Sequence, residues 1–332
     1  MTHFDEVRMV RGSILLSVML ILGLSPALTH AQQPSRTALV GVLVPSISST
    51  DPLIDAMRNG LRELGYVEGQ NIRIEFRSAQ GKLERLPGLA EELVRLKVDV
   101  IVAGADPAIR AAQQATTTIP IVMVGYVYDP VASGLIDSYG RPGRNLTGTF
   151  ARVSELVGKR LQLLKEVIPN LQRVAVFLDA MGLRELDEVE PAARSLGLKV
   201  VIVRLQAPYD FPAAFRTAKQ KRAGAVVLLF SSEFYVARAH IAASALKARL
   251  ATAAGSGQYT EAGGLLSYGP DGLDAYHRVA YFVDRLLKGA NPSDLPVEQG
   301  AAFRLVINLK TADVLGLTIP QSVLLRVDEV IQ

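Results

Sequence analysis

Hydrophobic positions along the chain alternate between two spacings. Short β-branched runs, "ALVGVLVPS" from Ala38, "VDVIVAG" from Val98 and "PIVMVGY" from Pro120, read as buried strands. Between them lie stretches with apolar residues at helical intervals. In "DPLIDAMRNGLRELGY" these are Leu53, Met57, Leu61 and Leu64, with Gly65 as the stop. "NIRIEFRSA" alternates with period two, and "LERLPGLAEELVRLK" is again helical. "DPAIRAAQQAT" predicts a helix with Asp106 as its N-cap and Pro107 in its first turn. The order β-α-β-α-β-α-β implies a parallel sheet covered on both faces.

The segment "DPVASGLIDSYGRPGRNLTGTF" breaks that rhythm, and a second series then begins. Its strands are "RVAVFLD", "LKVVIVRL" and "AGAVVLLFSS". Its helices are "SELVGKRLQLLKEVIP", "LRELDEVEPAARSLG", "YDFPAAFRTAKQKR" and "EFYVARAHIAASALKARL". The C-terminal residues supply two strands, one long helix and one short helix, parts that complete two existing sheets. The expectation is therefore an α/β protein of two similar wound sheets in tandem, crossed three times by the chain: near Gly148–Arg152, Ala251–Gly257 and Pro296–Ala302. Residues 36–149 with 256–297 form the first lobe, and residues 150–255 with 298–332 the second. Two lobes on such a hinge close around a guest.

The N-terminus changes the picture of where this happens. Arg8 and Arg11 precede an apolar run from Ile14 to Leu24, Pro26 breaks it, and Thr29 and Ala31 are small residues ahead of a cut. Residues 1–31 thus read as a secretory signal peptide, too short in its apolar part to span a bilayer comfortably. The chain has no Cys, which excludes lipid attachment, disulfides, cysteine nucleophiles and thiolate metal sites. The net charge is +4, with the basic residues scattered rather than blocked, which argues against nucleic-acid binding.

Catalytic signatures are lacking. Past the leader, His240 and His277 both fall in helices without a metal-ligand spacing. The first turn, "VPSISSTDPLIDAM", lacks a dinucleotide fingerprint, and neither a phosphate-binding loop motif nor a nucleophile elbow occurs. No cofactor or metal is expected. What remains are polar and aromatic residues at strand ends, where open α/β sheets hold ligands. The first lobe offers Ser46, Ser48, Ser49, Asp106, Tyr126, Tyr128 and Asp129. The second offers Ser231, Ser232, Glu233 and Tyr235. Tyr259 and Tyr268 flank the Gly263-Gly264 turn. Edge tyrosines pair flat apolar contact with a hydroxyl. The serines and aspartates equally suit helix caps, and the tyrosines interlobe packing.

Several long blocks, "GLRELGYVEGQNIRIEFRSAQGKLERLPGLAEELVRLKVDVIVAG", "DPVASGLIDSYGRPGRNLTG", "GKRLQLLKEVIP" and "LPVEQGAAFRLVINLKTADVLGLTIPQSVLLRVDEVI", carry a resemblance. With them the chain resembles the periplasmic substrate-binding proteins of ABC transporters related to the tryptophan-binding type. The resemblance implies a type I periplasmic binding protein fold with two Rossmann-like lobes and parallel sheets. It also implies capture of a small organic solute for an inner-membrane permease, a monomer in the periplasm, and no catalysis. Two departures stand out. Relatives carry Thr or Ser where this chain has Asp106, whose carboxylate repels a ligand carboxylate and prefers an ammonium or hydroxyl. Relatives also carry an aromatic residue near the alanines 251, 253 and 254. The alternatives are a secreted α/β enzyme using Asp106 or Glu233 as general base, and a ligand-binding sensory module for a membrane partner.

Overall fold

A computed structural model describes residues 37–126, 129–300 and 303–332. The leader and Tyr128 lie outside the described residues. The first series runs β1 (Ala38–Val44), α1 (Pro52–Glu63), β2 (Ile72–Ser78), α2 (Leu86–Arg95), β3 (Val100–Gly104), α3 (Asp106–Ala115), β4 (Ile121–Gly125) and β5 (Leu146–Phe150). The second runs α4 (Val157–Val167), β6 (Arg173–Leu178), α5 (Leu186–Ser195), β7 (Lys199–Arg204), α6 (Phe211–Gln220), β8 (Ala225–Leu228), α7 (Ser232–Val236), α8 (Arg238–Ala248), β9 (Ala251–Ala254), α9 (Gly257–Glu261) and β10 (Leu266–Pro270). Then follow α10 (Gly272–Leu287), β11 (Glu298–Gln299), β12 (Phe303–Asn308), α11 (Leu309–Leu315), α12 (Gln321–Leu324) and β13 (Glu329–Ile331).

The strands form two sheets, ordered β11-β5-β4-β3-β1-β2 and β13-β12-β10-β9-β8-β6-β7. All pairings are parallel except β10 with β12. The inner strands β1, β3 and β4 are buried nearly throughout, as a sheet covered by helices on both faces requires. Val40, Val42 and Val102 pack with Ile54, Met57 and Phe282 under α1 and α10, while Ile101, Ile109 and Met123 pack on the α2–α3 face. The second sheet is likewise sandwiched.

The second crossing differs from the expectation. Ala251–Ala254 is a fully buried central strand between β8 and β10. The chain leaves the second sheet only at Pro270, and α10 then packs on α1 of the first lobe. Residues 256–270 thus belong with the second sheet rather than the first. A four-residue strand of alanine and threonine lacks the β-branched signature, and its burial rather than its propensity makes it a strand. Strand β5 was also hidden inside the Gly-rich segment, and the long helix expected from Glu233 is split at Ala237 into α7 and α8. Helix α3 begins one residue earlier than expected: Ala105 is its cap and Asp106 its first residue.

Asp129 serves the first crossing. Its Oδ2 accepts from the Tyr139 hydroxyl at 2.5 Å and from Arg152 at 2.6 Å, and its Oδ1 from the Val131 N–H at 2.8 Å. Arg152 also donates to the Tyr139 oxygen at 2.9 Å, and the Tyr139 ring stacks on Phe150. Burial pushes the Asp129 carboxyl up, but the Tyr139 hydroxyl, the N–H groups of Val131 and Ala132 and the Arg152 charge outweigh it. The net direction is below the ordinary value. A depressed folded value means the contribution is complete above the unfolded value, near 3.9, and is lost as pH falls through the folded one. Thermal melts from pH 7 to pH 3 should show Asp129→Asn less stable than wild type at neutral pH, with the two curves converging at the acid end.

Candidate functional site

The carboxyl ends of both sheets face one cleft, and the lobes touch across it. A cavity of about 970 Å³, counting its opening to solvent, lies between them. From the first lobe, the end of β1 and the turn after it contribute Val44, Pro45, Ser46 and Ile47. The end of β3 contributes Gly104 and Ala105, and α10 contributes Tyr276. Tyr126, just past β4, completes that side. From the second lobe come Phe230, Ser231, Phe234 and Tyr235 after β8, Gly255 and Ser256 after β9, and Tyr259 in α9. Arg160 of α4 lies at the base.

Local chemistry explains these placements. Ala105 takes φ +67°, ψ 154°, a region non-glycine residues seldom occupy, where β3 turns into α3 beside the cavity. Gly104 must be glycine because the Tyr276 hydroxyl fills the place of its Cβ. The Ser231 Oγ accepts from the N–H groups of Glu233 (3.1 Å) and Phe234 (3.2 Å) and donates to Asp179 at 2.5 Å. It therefore caps α7.

The two lobes meet through three kinds of contact. The Ser46 hydroxyl donates to Glu233, whose carboxylate also lies against Gly81 of the first lobe. The Tyr235 hydroxyl donates to Asp51 Oδ1 at 3.2 Å. The rings of Tyr126 and Phe230 stack across the cleft, centroids 5.3 Å apart and planes 26° apart.

Among the described residues lining the cavity, Arg160 carries the one ionised side chain. It is 1% exposed and pairs with the fully buried Glu185 at 3.0 Å. It also donates to the carbonyls of Leu228 (3.2 Å) and Val153 (3.0 Å). Burial pushes the Glu185 carboxyl up, while the Arg160 charge and the Phe230 N–H pull it back. Burial also raises Tyr126, Tyr235, Tyr259 and Tyr276 far above the usual phenol value, so all four stay neutral hydroxyls at physiological pH.

The structure thus brings Ser46, Tyr126, Ser231 and Tyr259 to the cavity wall. Glu233 stands outside the lining and bridges the lobes. Asp106 follows Ala105 on α3 and does not line the cavity. Ser48 is exposed and bonded to Thr50 at 3.1 Å, and Tyr268 packs on Phe303 in the second lobe. Asp129 is held by the crossing. Sequence reasoning missed Phe230, Phe234, Tyr276 and Arg160. The two phenylalanines border the serine edge that was read, and their proximity to it was the available signal. Tyr276 reads as helix packing, and Arg160 as a solvated charge on a helix.

Two α/β lobes with a lined cleft between strand ends define a solute-binding protein of the type I periplasmic class. The chain belongs to the family of ABC transporter substrate binding proteins, whose family model matches residues 40–331. It is 32% identical over 157 residues to a tyrosine-binding protein of Clostridioides difficile, a match covering 45% of each. The chain thus spans under half the length of the curated relative it matches. A conserved domain protein from Vibrio cholerae superposes with a TM-score of 0.79 at 29% identity, over 89% of this chain and 100% of that one. An ABC domain in complex with L-Trp from Streptococcus pneumonia gives the same TM-score at 25% identity, with the same coverage of each chain. Among the described residues no helix is long and apolar enough to cross a membrane.

Proposed function

We propose that the protein is a periplasmic receptor that closes on a small organic solute with a flat apolar body and delivers it to an ABC permease in the inner membrane. The observation that carries this reading is the aromatic-walled cavity between two lobes whose side chains meet across the cleft. Relatives that take tyrosine and tryptophan support an aromatic guest. The solute stabilises the closed form by touching both strand edges, which the open form cannot offer at once. The apolar run ahead of Ala31 supports export by a cleaved leader, and the receptor acts as a monomer.

No carboxylate lines the cavity among the described residues, so general-base chemistry by Asp106 or Glu233 draws no support from its walls. Native mass spectrometry of the protein purified from its own cells tests the reading. The expected result is one bound small molecule per chain. Its re-addition at a hundredfold excess over Kd should stabilise the protein by about 2.7 kcal/mol. A ligand-free mass, together with no thermal shift across amino acids, amines and aromatic acids, would contradict it.

A further inference from the structure

The charges around the cavity do not balance, and the imbalance has a sign. Arg160, the cation in its wall, is matched by Glu185 at 3.0 Å with both groups out of water. The pair is neutral overall, so the Arg160 Nε, buried without a hydrogen-bond partner among the described residues, is a spare donor rather than an uncompensated charge. On the opposite side, Asp51 is 8% exposed and has no cationic partner among the described residues. Both of its side-chain hydrogen bonds fall on Oδ1, from the Leu53 N–H at 3.0 Å and from the Tyr235 hydroxyl at 3.2 Å. Glu233, bonded by Ser46 beside Gly81, likewise has no cationic partner among the described residues. Buried carboxylates are ordinarily paired, because removing the charge from water costs several kcal/mol. Capping α1 meets only part of that need at Asp51.

Between Asp51 and the cavity stand aromatic faces. Tyr235 lines the cavity and bonds Asp51 directly, and Tyr126, Phe230 and Tyr276 line the same space. Such faces attract organic cations through their quadrupoles, more strongly where water is excluded. Arg238 lies over the Tyr235 ring at 4.5 Å and bonds the Tyr235 carbonyl at 2.9 Å. It is outside the lining, and it shows that this ring already receives a cation on one face.

Resting on the reading of the cavity as a solute site, we infer that the solute is an organic monocation, an aromatic amine without a carboxylate. Its ammonium sits among Tyr126, Tyr235 and Tyr276 with Asp51 behind them, and its ring sits against Phe230. This departs from the zwitterions named for the relatives. A zwitterion's carboxylate would meet Arg160 already neutralised by Glu185.

Three probes sharing one ring separate the possibilities: tyramine, L-tyrosine and 3-(4-hydroxyphenyl)propionate. Each is titrated calorimetrically into the purified full-length protein after unfolding, dialysis and refolding to strip its solute. Tyramine should bind at least about tenfold more tightly than either of the others. Asp51→Asn, which retains a capping side chain, should weaken tyramine about tenfold and leave the acid unchanged or stronger. L-tyrosine or the acid binding as tightly as tyramine would overturn the inference. So would an equal loss for all three in Asp51→Asn, or no binding by any of them. If none binds while a co-purified neutral or zwitterionic molecule is found, the inference fails and the receptor reading stands. If nothing co-purifies and nothing binds, both fail.

Discussion

Arg160→Met is expected to lower the unfolding free energy by about 3–5 kcal/mol, because it leaves the Glu185 carboxylate buried without its partner. The same change removes donors from the Leu228 and Val153 carbonyls, which join strand β8 and the first crossing to helix α4. Methionine fills much of the arginine's volume, so the loss reports charge and hydrogen bonding rather than a void. The double variant Arg160→Met/Glu185→Leu should recover most of it, since an apolar pair of similar volume often replaces a buried ion pair at little cost. Urea denaturation of the three proteins measures both effects. A single variant as stable as wild type would remove Arg160 as the anchor of the cavity base.

Phe230→Ala should weaken solute binding by about tenfold to a hundredfold while changing stability far less than Arg160→Met does. Phe230 is only half-buried, and its ring spans the cleft to Tyr126, so its contacts are made where the lobes meet. Removing it opens the wall to water and deletes the stack at 5.3 Å. Calorimetry with the co-purified solute reads the loss, and denaturation separates it from unfolding. Tyr126→Phe, which preserves the ring, should retain most of the affinity. Unchanged affinity in Phe230→Ala would place the guest elsewhere.

The sequence showed the architecture best where burial and propensity agree. Strands β1, β3 and β4 are β-branched and buried on both faces, and the helices between them carry one apolar stripe each. It failed where they part. Strand β9 is alanine and threonine held by its neighbours, and reading it as a connection moved the second crossing from Pro270 to the 251–257 region. Strand β5 hid among glycines for a similar reason, since Gly148 at φ +124° carries no strand signal.

The site was legible at the level of strand ends. Ser46, Tyr126, Ser231 and Tyr259 were visible as polar and aromatic residues following buried strands, although capping and interlobe packing account for such residues as well. Arg160 and Glu185 are 25 residues apart on separate helical turns, and only the folded chain pairs them. Asp129 read as a ligand contact or a cap; it accepts from the Val131 and Ala132 N–H groups as a cap does, and it also ties Tyr139 and Arg152, 10 and 23 residues further on, a role only the folded chain shows.

Closure of the lobes on a solute is directly measurable, because the chain has no native cysteines. Glu84 and Ala239 are both exposed, near the Gly81–Glu233 contact on opposite lobes. Spin labels on Glu84→Cys and Ala239→Cys allow pulsed electron paramagnetic resonance of the solute-stripped and solute-saturated protein. Closure on the solute should give a longer, broader distance distribution in the stripped protein and a single shorter distance in the saturated one. The same distribution in both states would contradict it.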